Sequence, residues 1–227
     1  YYKRAIESFP PELVEFWPTQ LQPQQAIIAK EGYDQSAIVI PCYGAVYIFD
    51  PEVGAWARKN LQAYNEGKVT HTYLKGRTYI CFQGVGIFYY DFEQQDLIQC
   101  QFTGISDATM IGVASCLNYL ITWDGQYIYW SGTSDPLNFV PSLVTGSASS
   151  KLLAQRGVIT SILPVAEGFI VYTTMQAIGA TYSNNAVDPW IFREIPGSSG
   201  VADAEHVAYG SNADSHIAWT SSGFQAV

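Results

Sequence analysis

The sequence predicts an all-β protein, a β-propeller-like array of four-stranded antiparallel blades. The first observation is composition: 48% of the 227 residues are apolar and 14% are charged, and the six Trp, 16 Tyr and 11 Phe suit half-buried strands. The second observation is a repeat of an apolar strand, a turn bearing Gly or Asp, and a second strand that ends in aromatic residues. These second strands end at Phe49, Tyr90, Trp130 and Tyr182. The spacing of about 40 to 50 residues is typical of propeller blades.

The repeat divides residues 25–227 into four units and a partial fifth. In the third unit, Asp124-Gly125 joins two alternating strands and is a strong hairpin signal. We expect the outer strand of this unit at Phe139, and we interpret residues 141–150, rich in Ser, as a low-complexity loop. The units span about residues 26–60, 69–102, 111–140, 158–195 and 206–227.

Residues 1–24 differ from the repeat region. Phe9-Pro10-Pro11 and Trp17-Pro18 oppose a regular helix or a central strand, so this stretch is predicted to be an extended N-terminal arm or connection. The last residues, Phe224–Val227, fall within a predicted strand. We therefore expect an array that is incomplete at both ends. Closure or assembly would protect its apolar edges.

The formal net charge is −9, from 11 basic and 20 acidic residues. Proteins that grip nucleic acid use clustered Lys and Arg, and no such cluster occurs here. The densest basic stretch, Arg58-Lys59, is interpreted as a solvated surface pair. An acidic surface is compatible with nucleic acid that passes without sticking. No apolar run reaches the roughly 18 residues of a transmembrane helix, so none is expected.

Motifs for catalysis, metal binding or cofactor binding are lacking in the sequence. HExxH, GxSxG and P-loop patterns do not occur, so the three histidines are interpreted as packed or surface imidazoles. The cysteines form no CxxC pair, which favours free, buried thiols over a zinc site. No catalytic, cofactor or metal residue is therefore predicted. The histidines and cysteines considered are His71, His206, His216, Cys42, Cys81, Cys100 and Cys116.

Acidic residues remain as candidates for catalysis, since glycosidases use paired carboxylates. Most of them follow aromatic strands, where Asp caps and initiates turns, and we predict that the protein is not an enzyme. Aromatic strand ends such as Trp130 and Trp190 are interpreted as core, with a sugar-binding platform as the alternative. The acidic candidates are Asp91, Glu93, Asp96, Asp135, Asp188, Glu194, Asp203 and Glu205.

Six stretches in the later units have a distinctive sequence. In the third unit they are Trp123-Asp124-Gly125, Ile128–Ser131 and Ser134–Ser142. The later stretches are Gly168–Tyr172, Pro189–Ile195 and Ala218–Gly223. Through these stretches, residues from about 115 to 227 resemble tailed-bacteriophage structural proteins of the tail-tube or nozzle type.

The resemblance implies a virion protein that is assembled in the host cytoplasm as a ring around the tail axis. Its expected partners are further copies of itself and other tail proteins. DNA would pass through the ring without specific binding, and no cofactor or stable membrane insertion is expected. The alternative function is a propeller module that binds glycans or a host surface, and a propeller glycoside hydrolase is a third hypothesis.

Overall fold

The computed structural model describes residues 25–32, 34–42, 45–61, 68–152, 156–185, 188–210 and 215–227. The arm predicted over residues 1–24 lies outside this range. The regular structure of the described residues is almost entirely β-strand, with short 3-10 turns at Asp107–Thr109 and Ala204–His206. The strands are β1 (Ile27–Glu31), β2 (Gln35–Cys42), β3 (Ala45–Asp50), β4 (Ala55–Asn60), β5 (Val69–Leu74), β6 (Arg77–Phe82), β7 (Gly86–Asp91), β8 (Asp96–Gln99), β9 (Gly112–Cys116), β10 (Tyr119–Trp123), β11 (Tyr127–Trp130), β12 (Ala148–Lys151), β13 (Ile159–Val165), β14 (Gly168–Thr173), β15 (Ala177–Tyr182), β16 (Trp190–Glu194), β17 (Val207–Tyr209), β18 (His216–Thr220) and β19 (Gly223–Ala226).

Consecutive strands pair antiparallel to form successive meanders. The first meander is β1–β4, the second β5–β8, the third β9–β12 and the fourth β13–β16, each with four strands, and the fifth is β17–β19 with three. The prediction of an all-β array of four-stranded antiparallel blades with a partial fifth is confirmed.

Asp124 stabilises the predicted hairpin between β10 and β11, because its Oδ1 accepts hydrogen bonds from the amides of Gln126 at 3.0 Å and Tyr127 at 2.8 Å.

The chain divides into two compact units. The first unit contains the first two meanders with Asp107–Met110, and the second contains Gln101–Ser106 and Ile111–Val227. In the first unit, the pair Glu31 and Arg77 joins β1 to β6, so the two meanders form one eight-stranded sheet. The carboxylate of Glu31 lies 2.8 Å from the Arg77 guanidinium, which also lies over the Tyr89 ring.

The core of each unit consists of side chains that alternate along the inner strands. In the first unit, Ile27, Val39 and Ile48 of the first meander cluster with Ile80 and Phe82 of the second. Because alternate residues of a strand point to the same face, each strand contributes every second side chain to such a cluster. In the second unit, one cluster joins the third and fourth meanders and another joins the fourth and fifth.

The outer strand of the third meander differs from the prediction. It is β12, which pairs with β11 from Tyr127–Lys151 to Trp130–Ala148 and lies mostly in the stretch predicted to be a loop. Phe139 is instead buried, with its ring edge-on to Phe102 at 5.5 Å. An outer strand is fixed by backbone pairing to its neighbour and needs little apolar sequence, so the Ser-rich composition concealed it.

All four cysteines are free and buried, as predicted. Burial raises the pKa of the Cys42 thiol to about 11, which keeps it protonated and unreactive. The Cys116 thiol donates a hydrogen bond to the Gly168 carbonyl at 2.9 Å and so joins the third and fourth meanders.

Among the described residues, no helix has the length and apolar character needed to cross a bilayer.

Candidate functional site

The inner face of the fifth meander packs on the fourth. Ala218, 1% exposed, lies in a cluster with Tyr172, Ala177 and Val201, and Val207 packs against the same cluster. Gln225 of β19 adds polar ties, since its side chain accepts from the Ser199 amide and donates to the Gly197 carbonyl. Among the described residues, these contacts hold the fifth meander through its inner face.

His216 is a fully buried polar residue of this inner face. Its Nδ1 lies 2.9 Å from the Tyr172 hydroxyl and its Nε2 lies 3.2 Å from the Pro164 carbonyl oxygen. Because a carbonyl only accepts, Nε2 carries the proton and Nδ1 accepts from Tyr172. Burial lowers the pKa of His216 below its ordinary 6.5, and the bond to Pro164 opposes that shift. His216 is therefore a neutral histidine whose two ring nitrogens are both hydrogen-bonded within the core.

The outer face of the fifth meander is apolar and exposed. Ile217, Trp219 and Phe224 are 46%, 57% and 81% exposed, and they alternate in sequence with the inner residues. Trp219 and Phe224 are cross-strand partners whose rings stack with centroids 6.1 Å apart. The His206 ring meets Trp219 edge-on at 5.2 Å. We call this surface, formed by His206, Ala208, Ile217, Trp219, Phe224 and Ala226, the outer aromatic face.

The fifth meander also has an open edge at β19. His216 and Val227 exchange two backbone hydrogen bonds, at 2.8 and 2.9 Å. In an antiparallel pair, bonded and non-bonded residue pairs alternate, so the amides and carbonyls of Phe224 and Ala226 point away from β18. No other described strand pairs with β19. Its outer side therefore offers a template for a further strand.

The sequence around the outer aromatic face contains acidic residues but no Lys or Arg. Between Glu194 and Val227 the sequence contains no Lys or Arg, while it contains Asp203, Glu205 and Asp214 in addition to Glu194. Glu205 is exposed and lies two residues before β17. A segment that covers the outer aromatic face would therefore gain from a positive charge.

The structure separates the three histidines that were considered as catalytic candidates. His71 lies on β5 in the first unit, paired with Ile80. His206 and His216 both belong to the fifth meander, but His206 is on the outer face and His216 is in the core. Among the described residues, no group of three His, Cys, Asp or Glu side chains is arranged to hold a metal ion.

Several acidic candidates cap turns. A carboxylate oxygen of Asp91 accepts from the Gln94 amide at 2.8 Å, and one of Asp135 accepts from the Leu137 amide at 2.9 Å. Asp203 caps the 3-10 turn that precedes β17. Short-range capping of this kind explains why Asp follows strands in this sequence.

The other acidic candidates form ion pairs or lie at the surface. Asp96 lies opposite Asp91 at the end of the β7–β8 hairpin, but its carboxylate pairs with Lys59 at 2.8 Å. Glu194 pairs with Arg156 at 3.1 Å. The remaining candidates are exposed; they are Glu93, Asp188 and Glu205.

The aromatic strand ends lie mainly in the core. Trp130 and Trp190 are 2% and 1% exposed and belong to the cluster between the third and fourth meanders, so neither ring forms an open platform. The exposed aromatic pair is Trp219 and Phe224, which sequence reasoning missed. A signal existed: Trp219 alternates with the core residues Ala218 and Thr220, which places it on the opposite face of the strand.

Comparison with known proteins adds little to this geometry. No protein-family model matches the chain, and no curated protein matches it. A solved structure described as the crystal structure of BBS1N in complex with ARL6DN, soaked with mercury, aligns with a TM-score of 0.49 and 12% identity. The alignment covers 95% of this chain and 65% of that one, so the chain spans less than two thirds of its length.

Proposed function

We propose that this protein is a structural, non-catalytic module that works by assembly through the outer aromatic face. The observation that carries the proposal is the exposure of Ile217, Trp219 and Phe224 together on one face of the fifth meander. Contiguous exposed apolar surface on an otherwise well-packed protein is typical of interaction sites. The opposite face of the same meander packs on the fourth meander through Ala218 and Val207, so the surface is presented by a strand pair that is anchored in the core.

The narrower proposal is a bacteriophage tail protein of the nozzle or tube type. It would assemble as a ring in the host cytoplasm, contact other tail proteins and form part of the conduit for genome ejection. Two observations support it: the resemblance of residues 115–227 to such proteins, and the net charge of −9, which gives DNA little to adhere to.

Mass spectrometry of purified virions tests the narrower proposal. Particles from the phage that encodes this chain are purified through two density gradients and digested. We expect peptides of the chain at a stoichiometry of several copies per particle, comparable with other tail proteins. Its absence from particles that contain the other tail proteins would overturn the assignment to the virion.

A second candidate function is glycan binding, which the exposed Trp219–Phe224 stack favours. Aromatic faces are common platforms for sugar rings because the C–H bonds of a sugar pack on them. A glycan array probed with the purified chain tests this function. Binding that is lost in Trp219→Thr and kept in Val144→Thr would favour it over assembly, and an empty array would oppose it.

A further inference from the structure

The first meander has a second apolar face in addition to the one that packs on the second meander. Alternate residues of β2 and β3 point to opposite sides of the sheet. One side packs on the second meander through Val39 and Ile48. The other side, which we call the far face, contains a separate cluster whose described members all belong to the first meander. They are Ile38, Ile40, Cys42, Ala45, Tyr47 and Trp56.

The far face is buried more completely than a sheet face in contact with water. Tyr47 and Phe49 are each 1% exposed, although both lie on β3 in the middle of this face. Their described neighbours on the same sheet are Arg58, which lies over the Tyr47 ring at 5.8 Å, and Trp56, whose ring lies 5.3 Å from that of Phe49. Side chains stand roughly perpendicular to a sheet, so their outer ends become buried only when a second layer packs on them. A further part of the molecule therefore covers the far face.

The length of residues 1–24 makes this stretch the candidate for that layer. Each of the other stretches outside the described ranges contains six residues or fewer. The longest of these, residues 62–67, follows Leu61, whose side chain packs on the opposite face with Val39. Four strands are about 15 Å wide, and the nine residues 9–17 reach up to about 30 Å when extended.

The composition of residues 1–24 also suits the far face. Phe9, Phe16 and Trp17 supply large apolar side chains, and four prolines favour an extended chain that needs no strand partner. Glu15 lies beside this aromatic pair in the sequence. Its charge is opposite to that of Arg58, which is exposed on the far face, so the two groups would attract each other.

We propose that residues 9–17 lie across the far face of the first meander of the same chain and bury Tyr47 and Phe49. The segment is then an intrachain cap, which supplies the layer that the second meander supplies on the opposite face. Protection of a terminal repeat by a dedicated capping segment is a known requirement of stacked repeat folds. This inference is independent of the proposed assembly function, because it concerns the first meander and not the outer aromatic face.

Hydroxyl-radical footprinting of the full 227-residue chain tests the proposal. Radicals oxidise aromatic side chains that solvent reaches, and mass spectrometry of peptides measures the rate at each ring. Phe16→Ser combined with Trp17→Ser removes the apolar contacts of the cap. Gln20→Ser combined with Gln22→Ser alters two polar residues of the same stretch and is the matched control.

The expected result is a change confined to the far face. In the wild type and the control, Tyr47 and Phe49 are expected to be oxidised as slowly as Phe82, a fully buried ring on the opposite side of the first unit's sheet. In the cap variant the rates at Tyr47 and Phe49 are expected to rise about tenfold, while the rate at Phe82 stays low because the core remains closed. If the rate at Phe82 also rises, Trp17→Ser alone, which removes less apolar surface, gives the deciding measurement.

Two outcomes would overturn the proposal. Unchanged rates at Tyr47 and Phe49 in the folded cap variant would show that another part of the molecule covers the far face. Protection of these two rings that is lost when the wild type is diluted would show that a second copy supplies the layer. Neither outcome bears on the outer aromatic face or on the presence of the chain in virions, which are tested separately.

Discussion

His216 and Tyr172 are bonded to each other in the core of the second unit, with the histidine Nδ1 2.9 Å from the tyrosine hydroxyl. The contact joins β18 of the fifth meander to β14 of the fourth. Each side chain is fully buried. The packing of the fifth meander on the fourth therefore depends on the protonation state of the His216 imidazole. The position of the outer aromatic face depends on the same packing.

Acidification is expected to destabilise the protein through His216. Burial lowers the pKa of this histidine in the folded state, so the unfolded chain binds its proton first. Its contribution to stability is complete above pH 6.5, the ordinary value, and is lost as the pH falls through and below 6.5. Melting temperatures measured between pH 7.5 and pH 5 check this for the wild type.

His216→Gln is the control for that prediction. Glutamine keeps a donor and an acceptor but does not titrate in this range. The variant is expected to be less stable at pH 7.5 and to lose less stability than the wild type between pH 7.5 and pH 5. Equal losses in the two proteins would show that His216 is not the group responsible.

Trp130 and Trp190 are expected to respond differently to replacement by Phe. The Trp130 indole donates a hydrogen bond to the Gly146 carbonyl at 2.8 Å, whereas the Trp190 indole has no partner among the described residues. Both changes lose ring contacts, but Trp130→Phe also leaves a buried carbonyl unpaired. We expect it to lower the free energy of unfolding by about 1 kcal/mol more than Trp190→Phe. Urea unfolding of both variants measures the difference, and equal losses would contradict it.

Gly112 is expected to be essential for the packing of the third meander. It is the cross-strand partner of Trp123, and a Cβ at this position would overlap the indole ring. Gly112→Ala is therefore expected to cost about 1 to 3 kcal/mol, the usual cost of overpacking. At the control position, Gly179, a Cβ would meet its nearest atom at 3.8 Å, so Gly179→Ala is expected to be nearly neutral. Urea unfolding of both variants tests the prediction, and equal effects would contradict it.

Much of the fold is predictable because the inner strands have a recognisable sequence pattern. In β10, β11 and β14, apolar and aromatic side chains face buried surface, and turn residues such as Asp124 and Gly125 mark their ends. The strand β12 was missed for the opposite reason. Its residues are only half-buried or exposed, so composition carries little information about its position.

The candidate site was less predictable than the fold. Trp130, Trp190 and Trp219 all lie on strands with similar aromatic sequence, but the first two are buried and the third is exposed. What separates them is the presence of a neighbouring meander against the ring. That presence depends on contacts between distant parts of the chain, and the sequence of a single strand does not specify those contacts.

The central claim is that the outer aromatic face is an assembly surface. The most direct test compares the wild type with Trp219→Thr combined with Phe224→Thr by sedimentation velocity across a concentration series. Leu143→Thr combined with Val144→Thr is the matched control, since those residues are 66% and 94% exposed elsewhere in the second unit. We predict that the wild type and the control associate as concentration rises and that the Trp219 and Phe224 variant remains monomeric. A wild type that stays monomeric, or a face variant that associates as strongly as the control, would contradict the claim.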